Sequence, residues 1–419
     1  MISNVKLTKL APQGKRMIEW AELHMPVLMT IRKEMSKQKP LKKLRVGAAL
    51  HIEAKTAALV RTLVAGGAEV ALAGCNPLST RDEVVAALME DGINVYAWRG
   101  QSEKDYYANI HRVLDHRPDV LIDDGADIIS TTHAKRPEQI RKIRGACEET
   151  TTGVNRLRIM AAGGALKFPV IAVNDSPAKR LFDNRFGTAE STLQGIMATT
   201  NTLIAGKQIV VVGYGFVGRG IASRAKGLGA IMTVVETDPI KALEATMDGF
   251  RVTRMAEAAR IGDIFITTTG NIGVIRKEHM RRMRDGAILC NAGHFNVEID
   301  LKGLVSLSVK RRKVLTDVEE FQLKDGRRLH LLAEGRLVNL AGERSLGHPM
   351  EIMDMSFALQ ALSVEYLAEH GKELEPKVYD VPAEIDRRVA ELKLKSLGVG
   401  LEKLTREQLG YLRSWKFGT

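Results

Sequence analysis

From Leu44 onward, short apolar runs alternate with amphipathic stretches: LRVGAAL, TAALVRTLVAGG, EVALAG, RDEVVAALMEDG, INVYAW and DVLIDDG. Short apolar runs read as buried strands, and the stretches between them carry the spacing of helices with one apolar face. This β-α-β-α rhythm predicts a mostly parallel sheet with helices on both faces. It restarts at Gln208 with QIVVVGYGFVGRG, IMTVVETD, FRVT, DIFITTTG and AILCNAGHF. Two such rhythms predict an α/β chain with two doubly wound parallel-sheet domains. Beyond Gly347, HPMEIMDMSFALQALSVEYLAEHG predicts one long helix, and EIDRRVAELKLKSLGV and LTREQLGYLRSW predict two more, the last packing on another element or subunit. There is no repeat at a fixed period.

Length and composition narrow the function classes. A chain of 419 residues with 45% hydrophobic and 27% charged residues suits two or three globular domains and excludes a fibrous or tail-like protein. Lys and Arg exceed Asp and Glu by 62 to 50, a net charge of +12, which raises the question of nucleic acid. The basic clusters, Lys42, Lys43 and Arg45 or Lys310 to Lys313, are short and not interleaved with aromatics. No nucleic-acid partner is expected, and the surplus suits solvated helix faces or a site for an anionic cofactor. Cys75, Cys147 and Cys290 lie far apart without CxxC or Cys/His ligand spacing, so neither a disulfide framework nor a metal site is expected. A reducing, cytoplasmic setting fits them. No leader is expected from MISNVKLTKLAPQGKRMIEW, and no uncharged apolar run reaches the roughly eighteen residues of a membrane span.

The chemistry lies where apolar runs end, because ligands of such sheets sit beyond the carboxyl ends of the strands. Gly213-Tyr214-Gly215-Phe216-Val217-Gly218 follows QIVVV and opens a helix, with Glu236 closing the next strand, 18 residues beyond Gly218. This is a dinucleotide fingerprint. Gly213 allows the tight turn, Gly215 admits a pyrophosphate to the helix amino end, and Gly218 brings helix and sheet together. A carboxylate at Glu236 accepts from both ribose hydroxyls and repels a 2′-phosphate, which selects NAD. On this loop alone a conventional NAD-dependent dehydrogenase is the default. His51, Asp124, Glu149, Lys179, Asp183 and His294 also follow apolar runs or lie in the polar link around NDSPAKRLFDNRFGTAES, where they are expected to converge on one cleft.

These residues sit within larger blocks: HIEAKTA at His51, GCNPLSTRD at Gly74, IDDGAD at Ile122, EETTTGV at Glu148, VNDSPAKRLFDNRFG at Val173, NAGHFNVEID at Asn291 and LLAEGRLVNL at Leu331. In this order, over nearly the whole chain, they resemble the signature blocks of the S-adenosylhomocysteine hydrolase (adenosylhomocysteinase) family. The resemblance implies a substrate domain at 1–185, an NAD-binding Rossmann domain at 186–345, a return helix at 346–379 completing the substrate domain, and an oligomerisation segment at 380–419. It implies a homotetramer and reversible hydrolysis of S-adenosyl-L-homocysteine to adenosine and L-homocysteine. In this chemistry the ribose 3′-hydroxyl is oxidised, the thiolate is eliminated, water adds, and the ketone is reduced again.

By position, the resemblance makes Lys179 the base for the 3′-hydroxyl, a role expected to need a lowered lysine pKa in a water-poor cleft. Asp183 positions it, Asp124 handles the 4′-proton, Glu149 holds the ribose hydroxyls, and His51 with His294 serves the leaving thiolate and the entering water. Glu53, Lys55, Thr56, Cys75 and His348 are the further implied substrate residues. The implied cofactor residues are Thr150, Thr151, Thr152 and Asn184 from the substrate domain, the loop from Gly213 through Arg219 and Gly220, Glu236, Lys241, Thr269, Asn271, Ala292, Gly293 and Asn339, with Asn291 near the nicotinamide.

Several features depart from many relatives, among them Thr188 in place of a cysteine after the FDN block. Lys55 replaces a glutamate that accepts from the adenine amine, and an ammonium can only donate. Either the substrate is S-inosyl-L-homocysteine, whose 6-oxygen accepts, or Lys55 pairs with Glu53 and that carboxylate reads the amine. Lys241 replaces an asparagine at the cofactor ribose. The chain stops at Trp415-Lys416-Phe417-Gly418-Thr419, where many relatives continue into a tail that touches a neighbour's NAD, so weaker NAD retention is expected.

Overall fold

The computed structural model describes residues 4–416. Seven strands form the first sheet: β1 (Arg45–Leu50), β2 (Glu69–Gly74), β3 (Asn94–Tyr96), β4 (Val120–Asp123), β5 (Gly145–Glu148), β6 (Val170–Ala172) and, from far along the chain, β15 (Val378–Asp380). Their order is β15-β6-β5-β4-β1-β2-β3, with every pairing parallel. The central strands β1, β4 and β5 are almost wholly buried, as expected of a sheet covered on both faces.

The second sheet contains β7 (Gln208–Val212), β8 (Ile231–Val235), β9 (Arg251–Val252), β10 (Ile264–Thr267), β11 (Ile288–Asn291), β12 (Ser308–Leu315), β13 (Val318–Leu323) and β14 (Arg328–Leu332). Its order is β12-β13-β14-β11-β10-β7-β8-β9, parallel except for the antiparallel pairings of β12 with β13 and of β13 with β14. In each sheet strand order reverses beside the first strand, with β1 between β4 and β2 and β7 between β10 and β8. Those reversals open the crevices in which ligands of doubly wound sheets bind.

Some elements lie outside the sequence rhythm. Helices Asn4–Leu23 and Pro26–Gln38 precede β1 and send Ile18, Leu28, Ile31 and Met35 into the first core. The polar link is helical apart from a bend at Ser176, with wide π-type turns over Arg180–Gly187 that run into helix Thr188–Thr200. The long helix predicted after Gly347 spans Met350–His370 and is buried on nearly every side, including at Asp354, Ser356, Gln360 and Ser363. Asp354 accepts from the backbone amides of Val27 (3.3 Å) and Leu28 (2.9 Å) and from Lys393 Nζ (2.9 Å). It thereby caps one helix and fastens another.

That fastening changes the reading of the last forty residues. Helix Ala383–Ser396 docks on the first domain through Val389 and Lys393, whereas the chain from Leu397 exposes its apolar side chains: Leu397, Val399, Leu401, Leu404, Tyr411, Leu412 and Trp415. Residues 417–419 lie outside the described residues. Among the described residues no helix is long and apolar enough to cross a membrane.

Candidate active site

A single cleft runs between the carboxyl ends of the two sheets, with a volume of about 1760 Å³. Drug-sized ligands occupy roughly 300–1,000 Å³, so the cleft has room for a dinucleotide and a second molecule.

One bank is the glycine loop. Gly213 has φ +104°, a conformation that disfavours any side chain. A Cβ on Gly218 would stand 2.0 Å from the Gly213 carbonyl oxygen, which is the close helix–sheet approach the motif predicts. A Cβ on Gly215 would meet nothing within 4 Å, so this loop faces open space at the uncapped amino end of helix Phe216–Gly227. Glu236 is oriented by its own backbone surroundings: Oε2 accepts from Tyr214 N (2.6 Å), and Oε1 from Thr237 N (2.6 Å) and Asp238 N (3.0 Å). Burial would raise its pKa, but those amides prevail and hold it below the usual carboxylate value.

Lys241 lies beside this carboxylate, 3.8 Å from Asp238. Phe216, Val217, Arg219, Thr269, Asn271, Ala292, Gly293 and Asn339 line the same bank. Buried Asn339 Oδ1 has no hydrogen-bond partner, an acceptor suited to an amide such as that of nicotinamide. From across the cleft Thr150, Thr151, Thr152 and Asn184 reach the same space. These features fit NAD, the cofactor of this protein.

Two expected cofactor residues have other positions. Gly220 lies one turn further into the helix, where a Cβ would strike the Arg185 carbonyl at 1.9 Å, so it serves packing against the polar link. Asn291 is fully buried and ties its own loop, donating to the carbonyls of Gly293 (2.9 Å), Phe295 (2.9 Å) and Gly335 (3.1 Å).

The other bank is a cluster of charged side chains. Lys179 Nζ donates to Asn184 Oδ1 (2.7 Å) and lies 3.4 Å from Asp183 and 3.7 Å from Glu149. Asp183 also pairs with His348 and accepts from Ser356 Oγ (2.8 Å); Thr188 Oγ1 is 3.3 Å from His348 Nε2. Asp124 stands between two imidazoles, 3.5 Å from His51 Nε2 and 3.5 Å from His294 Nδ1. His51 Nδ1 meets Ser79 Oγ at 2.6 Å. His294 comes from the opposite domain and packs over Gly125 (φ +110°), where a Cβ would stand 2.2 Å from its Nε2. The ligating atoms of His51, Asp124 and His294 all lie within 4.8 Å of one another, a spacing a cation could bridge and one that chain spacing alone did not foretell.

Burial and charge set the protons. Burial pushes His51 down to about 4, outweighing Asp124, so the imidazole is neutral at pH 7. Burial pushes Glu149 up to about 7, although Lys179 opposes it. Lys179 departs from expectation. Burial alone would lower its pKa, but the carboxylates of Asp183, Glu149 and Asp124 prevail and hold it above the ordinary lysine value. The free site therefore keeps an ammonium, not the amine the sequence reading required.

The purine-site residues divide. Glu53 and Thr56 line the cleft, whereas Lys55 turns away from it, 2.6 Å from Glu53 Oε2 and donating to the Leu346 carbonyl at 2.7 Å. Cys75 is also buried behind the lining, and burial near Asp124 raises its thiol well above the ordinary value.

Several residues escaped sequence reading. Asp123 accepts from Asp124 N and Ile129 N, each at 2.9 Å, and Glu148 accepts from Gly125 N (2.8 Å), Ala126 N (3.0 Å) and Thr150 N (3.0 Å). Together they shape the turn that presents Asp124. Burial raises both, Asp123 to about 8. Glu298 accepts from the Thr269 and Gly270 amides, each at 2.9 Å, shaping the cofactor loop. The doubled acids in IDDGAD and EETTTGV were the available signal: in each pair the first acid faces the backbone and the second faces the cleft.

Comparison with known proteins agrees with this architecture. Residues 3–139 match the family model for S-adenosyl-L-homocysteine hydrolase, and residues 184–345 match the model for the S-adenosyl-L-homocysteine hydrolase NAD binding domain. An S-inosyl-L-homocysteine hydrolase of Methanopyrus kandleri is 60% identical over 98% of this chain and 96% of its own. Adenosylhomocysteinases of Sulfurisphaera tokodaii and Aquifex aeolicus are 57% and 56% identical, each over 99% of both chains. With matches of this extent and with the paired acids, buried lysine and glycine loop facing one cleft, the chain belongs to the S-adenosyl-L-homocysteine hydrolase family.

Proposed function

We propose that the protein hydrolyses S-adenosyl-L-homocysteine reversibly to adenosine and L-homocysteine. The observation that carries this reading is the buried lysine with flanking carboxylates opposite a dinucleotide loop: alcohol-oxidising machinery in a family of hydrolases. Bound NAD supplies a reversible hydride acceptor for the ribose 3′ carbon. Lys179 Nζ takes the 3′-hydroxyl proton, and Glu149 holds the ribose hydroxyls. Asp124 removes the proton that a 3′-ketone makes acidic at the 4′ carbon. His51, neutral at pH 7, and His294 exchange protons with the leaving sulfur and the entering water. The raised pKa of Lys179 makes deprotonation the first requirement, and a proton taken up by Glu149 near pH 7 removes one of the charges that opposes it.

The test is to incubate the holoenzyme with the thioether and follow free thiol together with reduced nicotinamide. Thiol without accumulating NADH is the expected result, whereas NADH rising in step with product identifies a dehydrogenase. The second reading, S-inosyl-L-homocysteine, is favoured by the name of the Methanopyrus relative. Glu53, the cleft-facing member of its ion pair, supports the adenine reading by offering an acceptor to the 6-amino group. Parallel assays with the two thioethers decide between them. We place the domain limits where the chain passes between sheets, at 185–186 and 345–346. The exposed apolar side chains from Leu397 to Trp415 support a homotetramer, which sedimentation measures directly.

A further inference from the structure

The helix Met350–His370 carries two buried polar side chains one turn apart, each aimed at an acid of the cluster. Ser356 Oγ donates to Asp183 Oδ2 at 2.8 Å, and Gln360 Nε2 donates to Glu149 Oε2 at 2.5 Å. Both residues are wholly buried, on a helix whose neighbouring positions are mostly apolar. They are not required to fill a polar surface. The two acids they hold flank Lys179, with Asp183 Oδ2 at 3.4 Å and Glu149 Oε1 at 3.7 Å. Glu149 Oε1 has no hydrogen-bond partner, so the oxygen that Gln360 leaves untouched is the one toward the lysine.

We propose that Ser356 and Gln360 are positioning residues for the oxidation step, fixing which oxygen of Asp183 and Glu149 faces Lys179 and the nucleoside, and thereby where the protons of the cluster reside. The inference rests on the proposed reaction, in which Lys179 must release a proton before hydride transfer. An amide N–H can only donate, so Gln360 favours the anionic form of Glu149. The charged groups facing Glu149 are Lys179 and Asp183 from the polar link and Asp124 from the end of β4. Without Gln360's donor, Glu149 keeps its proton to higher pH, by about one to two units for an ordinary hydrogen bond to a charged group. Lys179 then loses one of its three anionic neighbours and gives up its proton at lower pH. Asp183 behaves differently: burial would raise it, but Lys179 and His348 outweigh burial and hold it below the carboxylate range, with Ser356 the smaller contributor.

The experiment measures reduced nicotinamide formed when adenosine is added to holoenzyme across the neutral pH range, with calorimetric adenosine affinity alongside. Gln360→Met keeps side-chain length and removes the donor. Its expected signature is an acid limb displaced toward lower pH and an adenosine Kd raised about tenfold, one hydrogen bond's worth. Gln360→Glu is expected to recover the affinity on the acidic side, where the new carboxyl is protonated and can donate again. Ser356→Ala is expected to slow oxidation about tenfold without moving the limb. Unchanged limb and affinity in Gln360→Met, or a lowered melting temperature as its only effect, overturns the proposal. If wild-type holoenzyme forms no reduced nicotinamide, the proposed reaction and the role in oxidation fall together, and an altered pH dependence of adenosine binding in Gln360→Met then shows only that Gln360 holds Glu149 for binding.

Discussion

The two banks of the cleft achieve recognition by different means. The dinucleotide bank consists of backbone, with Gly213, Gly215 and Gly218 leaving amides and space where side chains would intrude. The opposite bank consists of side chains, with Lys179, Glu149, Asp183 and Asp124 buried close enough to set one another's charge. A backbone site is damaged by adding atoms and a side-chain site by removing them. The first fails by losing its ligand or its fold; the second fails by losing a proton-handling group while the fold survives.

That contrast can be broken most forcefully at Lys179. In Lys179→Ala the oxidation half-reaction is expected to fall by ~10² to 10⁴, the range for loss of a general base, with NAD still bound one per chain. Stopped-flow absorbance of reduced nicotinamide checks the first outcome, and titration with NAD to saturation checks the second. At Gly218 the order of damage reverses. In Gly218→Ala the new methyl, 2.0 Å from the Gly213 carbonyl, is expected to cost about 1–3 kcal/mol of stability and to empty the cofactor site. Thermal denaturation and cofactor content report both, and normal NAD content with a normal melting temperature would contradict the close approach.

A smaller effect sharpens the boundary between the banks. Glu236→Ala is expected to weaken NAD about tenfold and to narrow its advantage over NADP, since Lys241 then faces a 2′-phosphate without the opposing carboxylate. Paired titrations with the two dinucleotides measure this. The mildest effect concerns protons. Folded His51 refuses a proton until about pH 4, whereas the unfolded chain accepts one near 6.5. Stability from this group is therefore complete above pH 6.5 and falls as pH drops through that window. In His51→Asn this share of the slope should vanish, as read from melting temperatures at stepped pH.

Much of the fold was legible because periodicity survives in sequence. The strands ending at Leu50, Gly74 and Asp123 and those opening at Gln208, Ile231 and Ile264 stand out as apolar runs bounded by turns. GACE, which forms β5, is too short and too polar at its end to stand out, and it is a strand because β4 and β6 flank it. The glycine fingerprint was readable because backbone geometry restricts those positions to one residue type. The acid cluster was only partly readable. Periodicity cannot say which member of Asp123–Asp124 or Glu148–Glu149 faces the ligand, nor that Ser356 and Gln360, more than 170 residues downstream of the acids they hold, meet them. The lysine pKa was misjudged for a related reason: burial was foreseen, but the three carboxylates that outweigh it are assembled only by the fold.

The placement of β15 dictates an order of events during synthesis. Residues 378–380 supply the outer strand beside β6, and helix Met350–His370 fills the core beneath that sheet, yet both leave the ribosome after every strand from β7 to β14. The first domain to begin is thus the last to finish. While the nascent chain is extruded, the dinucleotide module has all its strands in hand and can collapse by itself, as domains generally fold as units. Its predecessor must wait with β6 as an unpaired margin, an open edge of the kind that invites association with other chains.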